Sequence, residues 1–125
     1  MGNRAVTLGG PIGTPTVTSL GGTYKRLQAA FGLPLEYPAP AMLRYLQTTG
    51  VPRIVELIAT RAWFATTAAV LAMPDFAAVP GWSDTWGPGA ALAARWAIVA
   101  TGGDVGRSSC GEGVHVIEAV ASGTN

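Results

Sequence analysis

Cys110 and His115, in "CGEGVH", are the residues of this chain best placed to do nucleophilic chemistry: a thiol five positions before an imidazole. A histidine that accepts the thiol proton would turn Cys110 into a nucleophile. That interval arises readily by chance, and the surrounding sequence reads as a loop thiol followed by a strand histidine. One cysteine and one histidine among scattered acids do not supply a standard zinc set. "SLGGTYK" places Gly21 and Gly22 before Lys25 without the GxxxxGK[ST] order that cradles phosphate, and "GGDVGRSSCGEG" holds no G-x-G-x-x-G after a clear strand. Seven acidic residues are spread without a convincing pair for hydrolysis. The expectation is a protein that is not an enzyme, with no catalytic residue, cofactor or metal.

Arginine is the remaining chemical signal. Seven of the eight basic residues are arginine, the cation better suited to buried pairs and to phosphate. Arg61 and Arg95 are set among apolar neighbours with no acid at helical spacing. Each must reach Asp75, Asp84 or Glu118 through folding, extend its head to water, or meet a group on another molecule. Arg44, Arg53, Arg61 and Arg95 are therefore the candidate contacts to a partner or to a packaged nucleic acid. The net charge of +1 exerts no bulk pull toward a polyanion.

Composition argues for company. Charged residues make up 12% of the 125, against roughly 25% in ordinary soluble domains. A compact monomer of this mass would expose about 6,300 Å². Its 15 ionisable acids and bases would then stand roughly 400 Å² apart, about half the usual density. With 49% hydrophobic residues, such a surface tends to associate. A single cysteine makes no internal disulfide.

The elements that would carry these residues read as mainly α, in an α+β arrangement. Residues 1–22 are rich in glycine, proline and threonine and suggest an extended arm or β-hairpin, with β-prone runs at Ala5–Leu8 and Thr16–Leu20. Residues 23–125 suggest a single helix-rich domain. About four helices are expected, over 23–32, 41–50, 53–73 and 90–103, punctuated by Gly32, Gly50, Pro52, Pro74 and Gly102. The run "WAIVAT" within the fourth fits a strand equally well. A short C-terminal strand is expected over 114–120. The segment 53–73 is amphipathic in its first half and apolar around most of the cylinder beyond Arg61, the mark of a buried helix.

A membrane-embedded helical hairpin is the alternative architecture. It is disfavoured because the charge-free run Ala62–Met73 has only 12 residues and Arg61 would sit near mid-bilayer, at about 2.5–3.5 kcal/mol. The N-terminus lacks the apolar core of a secretory signal and the Ser/Thr of a myristoylation site. The function expected is a non-enzymatic structural subunit of a large homo-oligomeric assembly: a virion coat, capsid-associated or filament protein. Its partners would be copies of itself or other assembly subunits, and a virion or other extracellular assembly is the favoured location. Trp63, Phe64, Val70, Leu71, Phe76, Trp82 and Trp86 are the candidate subunit interface.

Overall fold

The computed structural model describes residues 10–103 and 116–125. It is a β-protein, and the mainly helical expectation is wrong. Among the described residues there are seven strands and two single-turn 3-10 segments, Arg61–Trp63 and Asp84–Trp86. The strands are β1 (Thr16–Leu20), β2 (Arg26–Gly32), β3 (Ala41–Gln47), β4 (Arg53–Ala59), β5 (Ala68–Ala72), β6 (Arg95–Gly103) and β7 (Val116–Thr124). They form two antiparallel sheets, β1-β2-β5 and β4-β3-β6-β7, with one core between them.

Alternation explains why these segments are strands. In β2, Leu27, Ala29 and Phe31 are buried while Arg26, Gln28 and Ala30 face away. In β3, Ala41, Leu43, Tyr45 and Gln47 point inward and Met42, Arg44 and Leu46 outward. Successive side chains on a strand take opposite faces, so one sequence serves two surfaces. In β3 both surfaces receive apolar residues, which hides the period of two. The expected helices over 23–32 and 41–50 are accordingly β2 and β3, stopped by Gly32 and by the turn at Gly50, whose φ is +74°.

The expected helix over 53–73 is three elements. β4 pairs with β3 along its length, a 3-10 turn follows, and β5 crosses to the other sheet to pair with β2. Thr60, Thr66 and Thr67 sit at the joints, where a strand ends at no cost to a core. The segment 90–103 becomes β6, the strand alternative for "WAIVAT". The C-terminal strand forms as β7, beginning and ending later than 114–120. Residues 10–20 of the expected arm belong to the sandwich: Ile12 is buried and β1 pairs with β2. No helix of the described residues is long and apolar enough to cross a membrane, so the helical hairpin has no counterpart there.

The core is closed by three buried tyrosines whose hydroxyls are all engaged. Tyr37 donates to the Gly10 carbonyl at 2.6 Å, Tyr24 accepts from the Phe76 amide at 2.6 Å, and Tyr45 meets the Met73 sulfur and the Lys25 carbonyl. Burial is the main cause that pushes the Tyr45 hydroxyl up to about 12, and burial with the neighbouring Glu36 also raises Tyr37. The two sheet edges on one flank are held together. Gly10–Gly13 lie against Glu118–Ala121 of β7, and the Asn125 side-chain amide donates to the Val17 carbonyl of β1. On the other flank β4 and β5 stand side by side, and among the described residues no strand pairs with the outer edge of either.

Candidate functional site

The four-stranded sheet has two apolar faces, and only one of them meets the other sheet. Register places Ile58, Met42, Val99 and Val120 in one row across β4, β3, β6 and β7 on the outer face. The next row is Glu56, Arg44, Ala97 and Ser122, and the one after it Ile54, Leu46, Arg95 and Thr124. Ile58 is 64% exposed, Val120 57% and Ile54 55%, whereas Met42, Leu46 and Val99 are half-buried by their neighbours. The polar interruption is an ion pair, Arg44 Nε to Glu56 Oε1 at 3.3 Å, with both side chains about half exposed. Cross-strand pairs of this kind contribute little on an open surface.

The second feature is a groove of about 730 Å³ on the flank where β4 and β5 run as free edges. Glu56–Thr60 of β4 form one wall, Val70–Ala72 of β5 the other, with Trp63, Pro74 and Phe76 around them. The 3-10 turn sets the rim. Its amides bond back, Trp63 to Thr60 at 3.0 Å and Phe64 to Arg61 at 3.1 Å, so consecutive aromatic residues diverge. Phe64 enters the core edge-on to Phe31, with ring centres 6.3 Å apart, and Trp63 stands 76% exposed beside the groove.

Of the residues singled out from the sequence, Trp63, Val70, Leu71 and Phe76 thus come together on this groove. Phe64 is a core residue instead. Trp82 is packed between Tyr24 and Phe76 at 5.3 and 5.1 Å, and Trp86, 61% exposed, meets it edge-on at 5.8 Å. Met42, Leu46, Ile54, Ile58, Val99 and Val120 escaped the sequence reading; alternation tested on both faces of each run would have found them.

The four candidate arginines do not converge. Arg44 and Arg95 lie on the outer face. Arg53, at the start of β4, donates to the Thr85 carbonyl at 2.8 Å. Arg61, beyond the other end of that strand, donates to the Leu33 carbonyl at 2.6 Å. A backbone carbonyl, not an acid, thereby satisfies the arginine of the apolar segment. Asp75 pairs with Arg26 at 3.0 Å, Asp84 accepts from the Trp82 indole at 3.0 Å, and Glu118 is exposed on β7. Cys110 and His115 lie outside the described residues. Among the described residues no group of three metal-ligating side chains is present.

Comparison of the chain with protein-family models, with curated proteins and with solved structures finds no match in any of the three.

Proposed function

We propose that the protein is a non-enzymatic structural subunit of a large homo-oligomeric assembly, of the virion coat, capsid-associated or filament kind. The observation that carries this reading is the apolar row Ile58–Met42–Val99–Val120 on the outer face of the four-stranded sheet. Sheets that face water on one side alternate apolar-in and polar-out. The outer side of this one departs from that pattern: beside Arg44, Glu56, Arg95 and Glu118 it carries a complete apolar row and, further along, Ile54 and Leu46.

Other copies of the chain are the occupant that fits. A net charge of +1 gives copies almost no mutual repulsion, and the face carries an ion pair that is already self-neutralised. The row is self-complementary: a two-fold axis along the strands lays Ile58 and Met42 of one copy on Val120 and Val99 of the next. Four strands about 4.8 Å apart and about seven residues long give a projected area of roughly 460 Å². A stable contact takes about 800 Å² per partner. The outer face alone makes a weak pair, so a durable assembly uses the groove beside Trp63 as well.

The test is the size of the purified full chain across a dilution series, by sedimentation and electron microscopy. Particles or filaments persisting at micromolar concentration are expected. A dispersed monomer at tens of micromolar would overturn the reading.

A further inference from the structure

We infer that the groove between β4 and β5 receives residues 4–8, "RAVTL", of a neighbouring copy as an added strand. This rests on the assembly reading above and supplies its connection.

The groove specifies an extended apolar guest. β5, "AAVLA", offers an outer edge with no charge and no proline, so it lacks the usual devices that keep edges from pairing. Main-chain bonds to such an edge give affinity and pockets for alternate side chains give selectivity. A guest matched to the five residues of β5 is about 17 Å long. Glu56 is the single charged residue lining the groove. The fitting guest therefore has apolar side chains two apart and a cation two positions further along the same face.

Ahead of Gly10 stands "MGNRAVTLG", in which Arg4, Val6 and Leu8 share one side of an extended chain. Val6 and Leu8 suit the apolar wall, and Arg4 then reaches the Glu56 end. The other stretch outside the described residues, "DVGRSSCGEGVH" at 104–115, lacks paired apolar residues two apart.

Reach decides whose groove is filled. Gly10 is fixed by the Tyr37 hydroxyl on its carbonyl and by the Glu36 carboxylate on its amide, against β7. The order β4-β3-β6-β7 puts β7 three spacings, about 14 Å, from β4. Two residues from Gly10 back to Leu8 span about 7 Å at most. Leu8 cannot enter its own groove, so donor and acceptor lie on opposite flanks. Such a head-to-tail contact propagates as a filament or closes as a ring.

Disulfide trapping in the full chain tests this, in a Cys110→Ser background. One preparation carries Val6→Cys, a second Val70→Cys in the groove, and a third Val51→Cys on the β3–β4 turn. Val51 is 62% exposed and Val70 48%, so random collision favours Val51. Mixed with the Val6→Cys chain, the Val70→Cys chain is expected to form the intermolecular bond at least about tenfold faster than the Val51→Cys chain, because docking holds the sulfurs at high effective concentration. Ile58→Cys serves as a second acceptor should Val70→Cys fail to fold. Particles that stay assembled while Val6→Cys bonds equally to both sites, or to neither, would overturn the inference and leave the assembly reading standing. Absence of particles from the unsubstituted chain would remove both.

Discussion

Val120→Asp is the sharpest probe of the outer face. Val120 sits on β7, an edge strand, at the end of the apolar row, with its side chain turned from the core and 57% of the residue exposed. Covering a fully exposed valine yields about 1.5–3 kcal/mol, so covering this one contributes roughly 1–2 kcal/mol. A carboxylate caught in the contact adds a desolvation penalty, bringing the loss to roughly 2–4 kcal/mol per contact. At about 1.4 kcal/mol per factor of ten, association weakens about 30- to 700-fold. The folded subunit should lose no more than the strand preference for valine over aspartate, about 1 kcal/mol. Thr18→Asp is the matched control: an exposed strand residue given the same charge, but on the outer side of the other sheet. Sedimentation over a concentration series reads association, and urea melts read folding. If Val120→Asp assembles like the unsubstituted chain while folded, the outer face is not a contact and the reasoning from two apolar faces is wrong.

Four further outcomes are expected. Ile98→Ala removes a side chain that is fully enclosed at the centre of β6 and should cost about 2–5 kcal/mol in a urea melt; a cost well below 1 would misplace the core. At Gly102 an added Cβ would collide with the Glu36 carbonyl oxygen, so Gly102→Ala must displace the backbone between β2 and β3 and should cost about 1–3 kcal/mol, read as a lowered Tm. Tyr45, at about 12 when folded against 10.0 free, keeps its proton in the native state after the unfolded chain has lost its own. Its contribution is intact below pH 10 and lost as pH rises toward 12, on the order of 3 kcal/mol at most, visible as a falling urea midpoint that Tyr45→Phe flattens. Arg61→Ala deletes the bond to Leu33 that pins the turn beneath Trp63, so Trp63 fluorescence should shift while the core melt moves by about 1 kcal/mol.

How much of this was legible in the sequence depends on which face is asked. Thr16–Leu20 and the C-terminal segment showed their β character because polar or β-branched residues alternate there. β3 and β4 did not, since Met42, Leu46, Ile54 and Ile58 fill the face that water normally keeps polar, whereas in β2 the polar Arg26 and Gln28 alternate with buried residues over too few positions to stand out. Runs apolar on both faces fit a period of 3.6 as readily as a period of 2. Punctuation held part of the missing information. Gly22, Gly32, Pro40 and Gly50 cut residues 23–50 into pieces of at most about nine residues, closer to strand length than helix length, but residues 53–73 hold neither glycine nor proline, so nothing marked the break between β4 and β5. The groove was half visible: Trp63, Val70, Leu71 and Phe76 were singled out as greasy, but their meeting required the crossover from β4 to β5, which no local pattern encodes.

Charge scarcity and the two-faced sheet are one property seen at two levels. A sandwich of this size needs one apolar face from each sheet, and the β1-β2-β5 sheet keeps to that, with Thr16, Thr18, Arg26 and Gln28 on its outer side. The four-stranded sheet exceeds it by a whole row. Positions that would ordinarily be lysine or glutamate on β4, β3, β6 and β7 are isoleucine, methionine, leucine and valine, and these six residues account for part of the low charged fraction of 12%. Three of the exposed large apolar residues, Ile54, Ile58 and Val120, share this face, and Trp63 and Val70 border the groove beside it. A uniformly greasy surface would aggregate without geometry. An apolar row on one sheet face and a groove on one flank would, on the assembly reading proposed above, direct association along two axes, as an ordered lattice or filament requires.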